Sequence, residues 1–182
     1  FGDLYDVASL TKILATLPLL IELVDKGVIK LESTLGELLP EFLGSNKKAI
    51  TIQEMLSHYA QLKPWIPFYA STLDSITKKP NPKFYRSKQS NKFSIEVYED
   101  LFLNIDFKDS IQSNIIDSEL LKEKSYRYSD LPFYILKSII ELHYNQPLDE
   151  LIQQHFYKSL GANLSTYNPL NKFDMDNIIP TE

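Results

Sequence analysis

The sequence contains no cysteine, which excludes disulfide bonds, thiol nucleophiles and cysteine-based zinc sites. Only three histidines are present, His58, His143 and His155, and they lack the paired spacing of metal ligands. We therefore expect no metal site. A chain without disulfides suits either a reducing cytosol or a periplasm, so the cysteine content leaves the compartment open.

Long hydrophobic runs are also missing. The longest candidate, residues 10–24, is interrupted by Lys12, Pro18 and Glu22 and falls short of the roughly 20 apolar residues that a membrane span needs. We expect this run to form a buried helix, and we expect no membrane span. Residues 1–6 contain neither a basic leader nor an initiator Met, so we expect a processed or excised segment.

Basic residues are fewer than acidic residues. The 19 Lys and Arg residues against 24 Asp and Glu give a net charge of -5, so the chain has no general attraction to polyanions. This balance argues against nucleic acid as a partner.

The patterns that are present predict one mainly α domain over residues 1–182, because 43% of the residues are hydrophobic and alternating strand patterns are nearly absent. Gly27 and Gly161 are predicted left-handed caps, and Pro18 predicts a kink or break near residues 15–16. Helical spacing of apolar residues predicts helices at residues 8–25, 51–59, 107–121, 131–144 and 147–160.

Two further local patterns refine this prediction. Thr51 and Glu54 form a predicted capping box, with Ile52, Met55 and Tyr59 among the residues on the buried face of the helix that follows. Residues 60–95 contain four prolines and a run of basic residues with no acid among them, which predicts an exposed insertion. The basic residues are Lys78, Lys79, Lys83, Arg86, Lys88 and Lys92.

Ser9 and Lys12 are the first candidates for chemistry. They lie one helical turn apart at the start of a helix. The partial positive charge of the helix N-terminus and the nearby lysine both favour an alkoxide on Ser9. A neutral Lys12 could also accept the serine proton. The same spacing recurs without a comparable helix start at Ser45 with Lys48 and at Ser75 with Lys78.

Tyr128 is the second candidate. It lies beside Ser129 and Asp130 on a turn before a helix that begins near Pro132, and a tyrosinate there could relay the serine proton. An ordinary surface or core tyrosine is the alternative. Residues 98–100 match the same loose pattern, but Tyr98 lies in an alternating apolar stretch that is more typical of packing.

Several segments, in this order, resemble landmarks of the class C serine β-lactamases and the related DD-peptidases and esterases. They are YDVASLTK at residues 5–12, KGVIKL at 26–31, ITIQEMLSH at 50–58 and YRYSD at 126–130, with YKSLGA at 157–162 as a looser match. The resemblance implies the β-lactamase/transpeptidase-like α/β fold. The chain would be its helical subdomain, with most of the sheet missing.

The resemblance also implies roles for individual residues. Ser9 would be the acylated nucleophile, Lys12 its proton acceptor or electrostatic partner, and Tyr128 the general base of acylation and deacylation. Asp130 takes a substrate-binding position that is usually asparagine. No cofactor is implied. The implied substrate is a peptidoglycan-derived or other small molecule, and the implied location is the periplasm or cell envelope.

Two departures from the family pattern limit these expectations. An ionised aspartate at position 130 only accepts hydrogen bonds, whereas an asparagine also donates, and this disfavours β-lactam turnover. The family's third motif, Lys or His followed by Thr or Ser and then Gly, does not occur between Tyr128 and the end of the sequence. One oxyanion-hole donor would be missing with it, at a cost of roughly 100- to 1000-fold in rate. We expect the remaining parts of a parent chain to complete the site and this segment alone to be inactive.

Residues 62–69, LKPWIPFY, are similar to a segment of serine-hydrolase modules that follow a family 3 β-N-acetylglucosaminidase domain. Trp65, between two prolines, is the aromatic residue best placed to contact substrate, because most of the others have core spacing. Two functions remain open: a serine acyl-transfer module, or a catalytically silent binding or scaffolding module beside a glycoside hydrolase.

Overall fold

A computed structural model describes residues 3–181 of the chain, which divides into two compact units. Residues 3–33 and 133–181 form the described part of the first unit, and Thr34–Pro132 form the second. Helices predominate in both, as predicted, and a small sheet lies in the second unit. Within residues 3–181, none of the helices has the length and apolar character needed to cross a membrane.

A helical segment near the N-terminus runs through three geometries in succession. A 3-10 turn, Ala8–Leu10, leads into a π-helical turn, Lys12–Thr16, and then into helix α1, Leu17–Asp25. Pro18 lies in the first turn of α1, where a missing N–H is tolerated. The irregularity predicted before Pro18 is therefore a π-helical turn.

The end of α1 confirms the predicted glycine cap. Gly27 has a φ of +70°, a conformation that glycine adopts without strain. The N–H of Val28 donates to the carbonyl of Leu23, and that of Gly27 to Val24, which satisfies carbonyls at the helix end.

The covered face of this helical segment differs from the expectation of a buried helix. Ile13, Leu14 and Ile21 expose 54%, 44% and 58% of their surface, so the expectation is wrong for these three residues. The residues that are buried are Ala15, Thr16, Leu19, Leu20 and Leu23. Apolar residues occupy more than one side of the segment, and their spacing alone does not identify the covered side.

Helix α5, Leu131–Tyr144, has the predicted bounds, and its residues from Phe133 onward belong to the first unit. Helix α6, Leu148–Ile152, follows it and continues into a second π-helical turn, Gln153–Tyr157. Glu141 of α5 accepts the N–H of Leu148 at 2.8 Å, which caps α6. Gly161, with a φ of +67°, ends the helical segment as predicted.

The last part of the first unit is irregular. It contains two 3-10 turns, Pro169–Asn171 and Met175–Asn177. Leu4 and Ile178 form an isolated parallel bridge that joins the two ends of the described chain.

Short helices with polar caps open the second unit. Helix α2, Leu35–Leu38, is followed by a 3-10 turn, Pro40–Phe42, and then by helix α3, Ile52–Leu56. The predicted capping box of Thr51 and Glu54 is confirmed, and Thr34 with Glu37 forms a second one. Tyr59 lies beyond α3 and exposes 44% of its surface, so its predicted burial is wrong.

An antiparallel sheet and a longer helix complete the second unit. A 3-10 turn, Phe68–Thr72, precedes strand β1, Tyr85–Arg86. Strands β2, Phe93–Tyr98, and β3, Leu101–Asn104, form a hairpin, and the strand order is β1-β3-β2. Tyr98 is 73% exposed at the hairpin end, so its expected packing role is wrong. Helix α4, Phe107–Asp117, buries Ile115 as predicted.

A buried lysine fastens the end of α4. The ammonium of Lys47 donates to the carbonyl oxygens of Ile116, at 3.0 Å, and Ser118, and to Oδ1 of Asn46 at 2.7 Å. Burial lowers the pKa of Lys47, although three acceptors satisfy the charged group. This cation contacts carbonyls at a helix C-terminus, where its charge is favourable.

Candidate active site

The predicted pair of Ser9 and Lys12 forms a direct contact in the first unit. Nζ of Lys12 donates a hydrogen bond to Oγ of Ser9 at 3.1 Å. Ser9 lies in the 3-10 turn and Lys12 opens the π-helical turn, so the helix geometry changes between these two residues. Nζ also lies 5.5 Å from the centroid of the Phe133 ring.

The backbone just before Ser9 is held in an unusual conformation. Ala8 has a φ of +44°, which L-residues adopt at a cost of about 1–2 kcal/mol. Its N–H donates to Oδ1 of Asp6 at 2.7 Å, and the N–H of Leu10 donates to the carbonyl of Val7 at 2.9 Å. These bonds fix the turn that presents the serine hydroxyl, and strain of this kind is frequent at functional sites.

The repeated spacings elsewhere in the chain lead to different structures. Oγ of Ser45 donates to the carbonyl of Phe42 at 2.8 Å and accepts the N–H of Lys47. Lys78 has a φ of +57° in a turn outside any helix. Helical context therefore distinguishes Ser9 and Lys12 from the other two pairs.

Tyr128 lies in the second unit, where His58 contacts its ring and the backbone of the residues on either side of it. The two rings pack with 4.6 Å between centroids. The N–H of Arg127 donates to the carbonyl of His58 at 2.9 Å, and the N–H of Ser129 donates to Nδ1 of His58 at 3.3 Å. Because Nδ1 accepts, this contact assigns the proton of a neutral His58 to Nε2.

Ser129 and Asp130 tie the start of α5 to residues 63–64. Oγ of Ser129 is buried; it donates to the carbonyl of Lys63 at 2.6 Å and accepts the N–H of Leu131 at 3.2 Å. The N–H of Asp130 donates to the carbonyl of Pro64 at 2.8 Å. Trp65, the next residue, exposes 58% of its surface.

The predicted site residues thus fall into two groups. Ser9 and Lys12 are in contact within the first unit, whereas Tyr128, Asp130 and Trp65 belong to the second. Sequence reasoning missed His58, which it considered only as a metal ligand and rejected in that role. Its place at the end of the segment at residues 50–58 was the available signal.

Two surface depressions, with volumes of about 400 and 220 Å³, are lined by residues between Gln153 and Asn177, and none of the predicted site residues lines either of them. Among residues 3–181, no group of three or more His, Asp or Glu side chains is arranged to hold a metal ion.

Comparison with curated proteins identifies relatives with cell-wall enzyme names. The chain is 27% identical over 188 residues to a protein of Escherichia coli (strain K12) named "Putative D-alanyl-D-alanine carboxypeptidase", covering 100% of the chain and 38% of that protein. It is 28% identical over 175 residues to the N-acetylmuramyl-L-alanine amidase of Bacillus subtilis (strain 168), covering 93% and 34%. The chain therefore spans little more than a third of these relatives.

Solved structures share the fold. A penicillin-binding protein homologue from Pyrococcus abyssi superposes with a TM-score of 0.60 at 15% identity, over 98% of this chain and 35% of that one. A class C β-lactamase from Rhodobacter sphaeroides gives 0.58 at 17% identity, over 88% and 36%. The helical architecture is thus part of a β-lactamase-like fold.

The sequence model of the β-lactamase family matches residues 2–175, nearly the whole chain. Together with the shared fold and the ordered motifs, this match shows that the chain belongs to the β-lactamase family.

Proposed function

We propose that this chain carries the nucleophile of a serine hydrolase that works through an acyl-enzyme. The observation that supports the proposal most directly is the 3.1 Å contact between Nζ of Lys12 and Oγ of Ser9. A protonated Lys12 stabilises the developing alkoxide, and a neutral Lys12 accepts the proton as Oγ attacks the substrate carbonyl. The leaving group then departs, and water releases the acyl group from Ser9.

Tyr128 is the proposed general base of both steps. When Lys12 is protonated, Tyr128 acts as a phenolate: it takes up the serine proton during attack, returns it to the leaving group and later deprotonates the hydrolytic water. The contacts of His58 support this role, because they restrict the orientation of the Tyr128 ring and of the backbone beside it. Asp130 and Trp65 are proposed to contact the substrate.

Peptide, ester and β-lactam bonds of peptidoglycan-derived or similar small molecules form the proposed substrate class. The relatives' names, a carboxypeptidase of D-alanyl-D-alanine and an amidase of N-acetylmuramyl-L-alanine, support this choice. The cell envelope or periplasm is the proposed location. Further residues of a longer polypeptide would supply the third motif and the second oxyanion donor.

A catalytically silent binding or scaffolding module is the second candidate. Asp130 favours it, because an ionised carboxylate cannot donate to a substrate carbonyl as an asparagine does. Fusion to a family 3 β-N-acetylglucosaminidase belongs to this alternative and stays a prediction from residues 62–69.

Covalent labelling tests the choice. The chain and the full-length gene product are treated with a fluorophosphonate and with a labelled penicillin, and intact mass is measured. We expect the full-length protein to gain one adduct, Ser9→Ala to lose it and Ser45→Ala, the decoy serine, to keep it. An unlabelled full-length protein would reject the enzyme and favour the silent module.

A further inference from the structure

A tyrosine from the far end of the first unit binds the turn that carries Lys12. Oη of Tyr157 donates a hydrogen bond to the carbonyl oxygen of Leu14 at 3.0 Å. Leu14 lies in the middle of the π-helical turn Lys12–Thr16, and Tyr157 is the last residue of the π-helical turn Gln153–Tyr157. The two residues are 143 positions apart in the sequence.

Pro18 removes the donor that the carbonyl of Leu14 would have in α-helical geometry. There, this oxygen would accept the N–H of the residue four positions later, which is Pro18. Proline has no N–H, so the α-helical donor for Leu14 is missing. The hydroxyl of Tyr157 supplies a hydrogen bond in its place.

The bonded turn is the one that Lys12 opens. The carbonyl of Lys12 accepts the N–H of Leu17 within the turn, and Tyr157 holds Leu14 from outside. Both bonds restrict the backbone between the lysine and α1. A shift there would move Nζ relative to Oγ of Ser9, which lies outside the turn.

We propose that Tyr157 is a positioning residue. Its hydroxyl replaces, at the carbonyl of Leu14, the backbone donor that Pro18 lacks, and so keeps Nζ of Lys12 within hydrogen-bond distance of Oγ of Ser9. The inference rests on the proposed function, because it assigns Tyr157 a part in acylation of Ser9. Tyr157 does not contact the reacting atoms and acts only through the backbone of Leu14.

The protonation state of Tyr157 agrees with this role. Burial raises the pKa of its hydroxyl above the usual value near 10. The hydroxyl therefore stays protonated, and able to donate, at any pH at which such a hydrolase works.

A double-mutant cycle in the full-length gene product tests the proposal. Tyr157→Phe removes only the donor, and Pro18→Ala restores the backbone N–H. The rate of Ser9 acylation by a labelled penicillin is measured together with the non-covalent binding constant that precedes it. Tyr167→Phe is the matched control, because its buried hydroxyl makes no hydrogen bond within the described chain.

We expect Tyr157→Phe to slow acylation by roughly 10- to 100-fold, the effect of a small misplacement at a reacting centre, without weakening initial binding. In the Pro18→Ala background, the same change should slow acylation by less than about threefold. Equal losses in both backgrounds, no loss in either, or a loss with Tyr167→Phe would overturn the proposal.

Thermal unfolding of wild type, Tyr157→Phe, Pro18→Ala and the double variant separates this inference from the proposed function. We expect the midpoint shifts of Pro18→Ala and Tyr157→Phe to be non-additive, because each changes the bonding of one carbonyl. If none of the four proteins is acylated but their midpoint shifts are non-additive, catalysis is rejected and the positioning role with it. The donor replacement is retained in that case. Additive shifts would reject the donor replacement itself.

Discussion

His58 accepts the N–H of Ser129 at Nδ1 while its ring packs on Tyr128. The carbonyl of His58 also accepts the N–H of Arg127. One residue therefore binds the backbone on both sides of Tyr128 and restricts the ring between them. His58 itself has a φ of +60°, so local strain accompanies this arrangement.

Loss of this support should affect both stability and labelling. We expect His58→Ala to lower the free energy of unfolding by about 1–2 kcal/mol, because a hydrogen bond and a ring contact are lost. Acylation should slow as Tyr128 loses its orientation. Urea unfolding and penicillin labelling measure the two effects. Unchanged labelling in a destabilised variant would limit His58 to a structural role.

Tyr128 and Tyr126 form a matched pair for testing the general base. Both rings lie near His58, with centroids at 4.6 and 6.0 Å, and both are partly exposed. We expect Tyr128→Phe to slow acylation and deacylation by roughly 100- to 10,000-fold, with stability changed by less than about 0.5 kcal/mol. Tyr126→Phe should retain normal rates. Comparable losses in both variants would argue against a specific base.

Features that depend on a few neighbouring residues were predictable from the sequence. The caps at Gly27 and Gly161 and the capping box of Thr51 and Glu54 follow from local chemistry, and all were confirmed. Helix α5 was predicted to its exact bounds, because Pro132 marks its start and apolar spacing continues to its end. The contact of Lys12 with Ser9 also follows from the spacing of one helical turn.

Features that depend on distant residues were not predictable in this way. The contact of His58 with Ser129 joins positions 71 apart, and that of Tyr157 with Leu14 joins positions 143 apart. No local pattern encodes either partner. The exposure of Ile13 and Ile21 has a related cause, since helical periodicity does not specify which apolar side other elements cover.

Asp130 offers a gain-of-function test. If the carboxylate limits recognition of a substrate carbonyl or amide, Asp130→Asn should supply the missing donor. One net hydrogen bond corresponds to an increase of about tenfold in the rate of penicillin acylation. Asp130→Ala provides the control, because it removes the charge without adding a donor. An equal increase in both variants would indicate that charge removal, rather than donation, is responsible.

Lys47 is expected to matter for stability although it lies outside the candidate site. Lys47→Met leaves the carbonyls of Ile116 and Ser118 without their donor, which should cost about 1–3 kcal/mol of unfolding free energy. The neighbouring, exposed Lys48 is the control, and Lys48→Met should change stability by less than about 0.5 kcal/mol. Equal effects in urea unfolding would contradict a specific anchor.

The lowered pKa of Lys47 also predicts a pH dependence. The unfolded chain binds this proton more tightly than the folded protein, so the contribution of Lys47 becomes more favourable as pH rises through its folded pKa toward the usual 10.5. Burial raises the pKa of Tyr144, Tyr157 and Tyr167, which has the opposite effect at alkaline pH. The difference between wild type and Lys47→Met isolates the lysine, and this stability difference should widen with rising pH.

Glu22 predicts a second pH dependence, on the acid side. Burial raises the pKa of its carboxyl, but hydrogen bonds from Lys26 and His155 outweigh burial and hold the pKa below 4.5. The folded protein therefore binds this proton less tightly than the unfolded chain. The resulting stabilisation is complete above pH 4.5 and is lost as pH falls through the folded pKa.

Glu22→Gln should accordingly destabilise the protein at neutral pH by less than about 1 kcal/mol, the range of partly exposed ion pairs. The difference from wild type should shrink as the pH is lowered from about 7 to about 3.5, because protonation removes the same charge from wild type. Urea unfolding at several pH values measures this convergence, with exposed Glu123→Gln as the control. A difference that stays constant with pH would mean that Glu22 stabilises the fold through packing rather than through its charge.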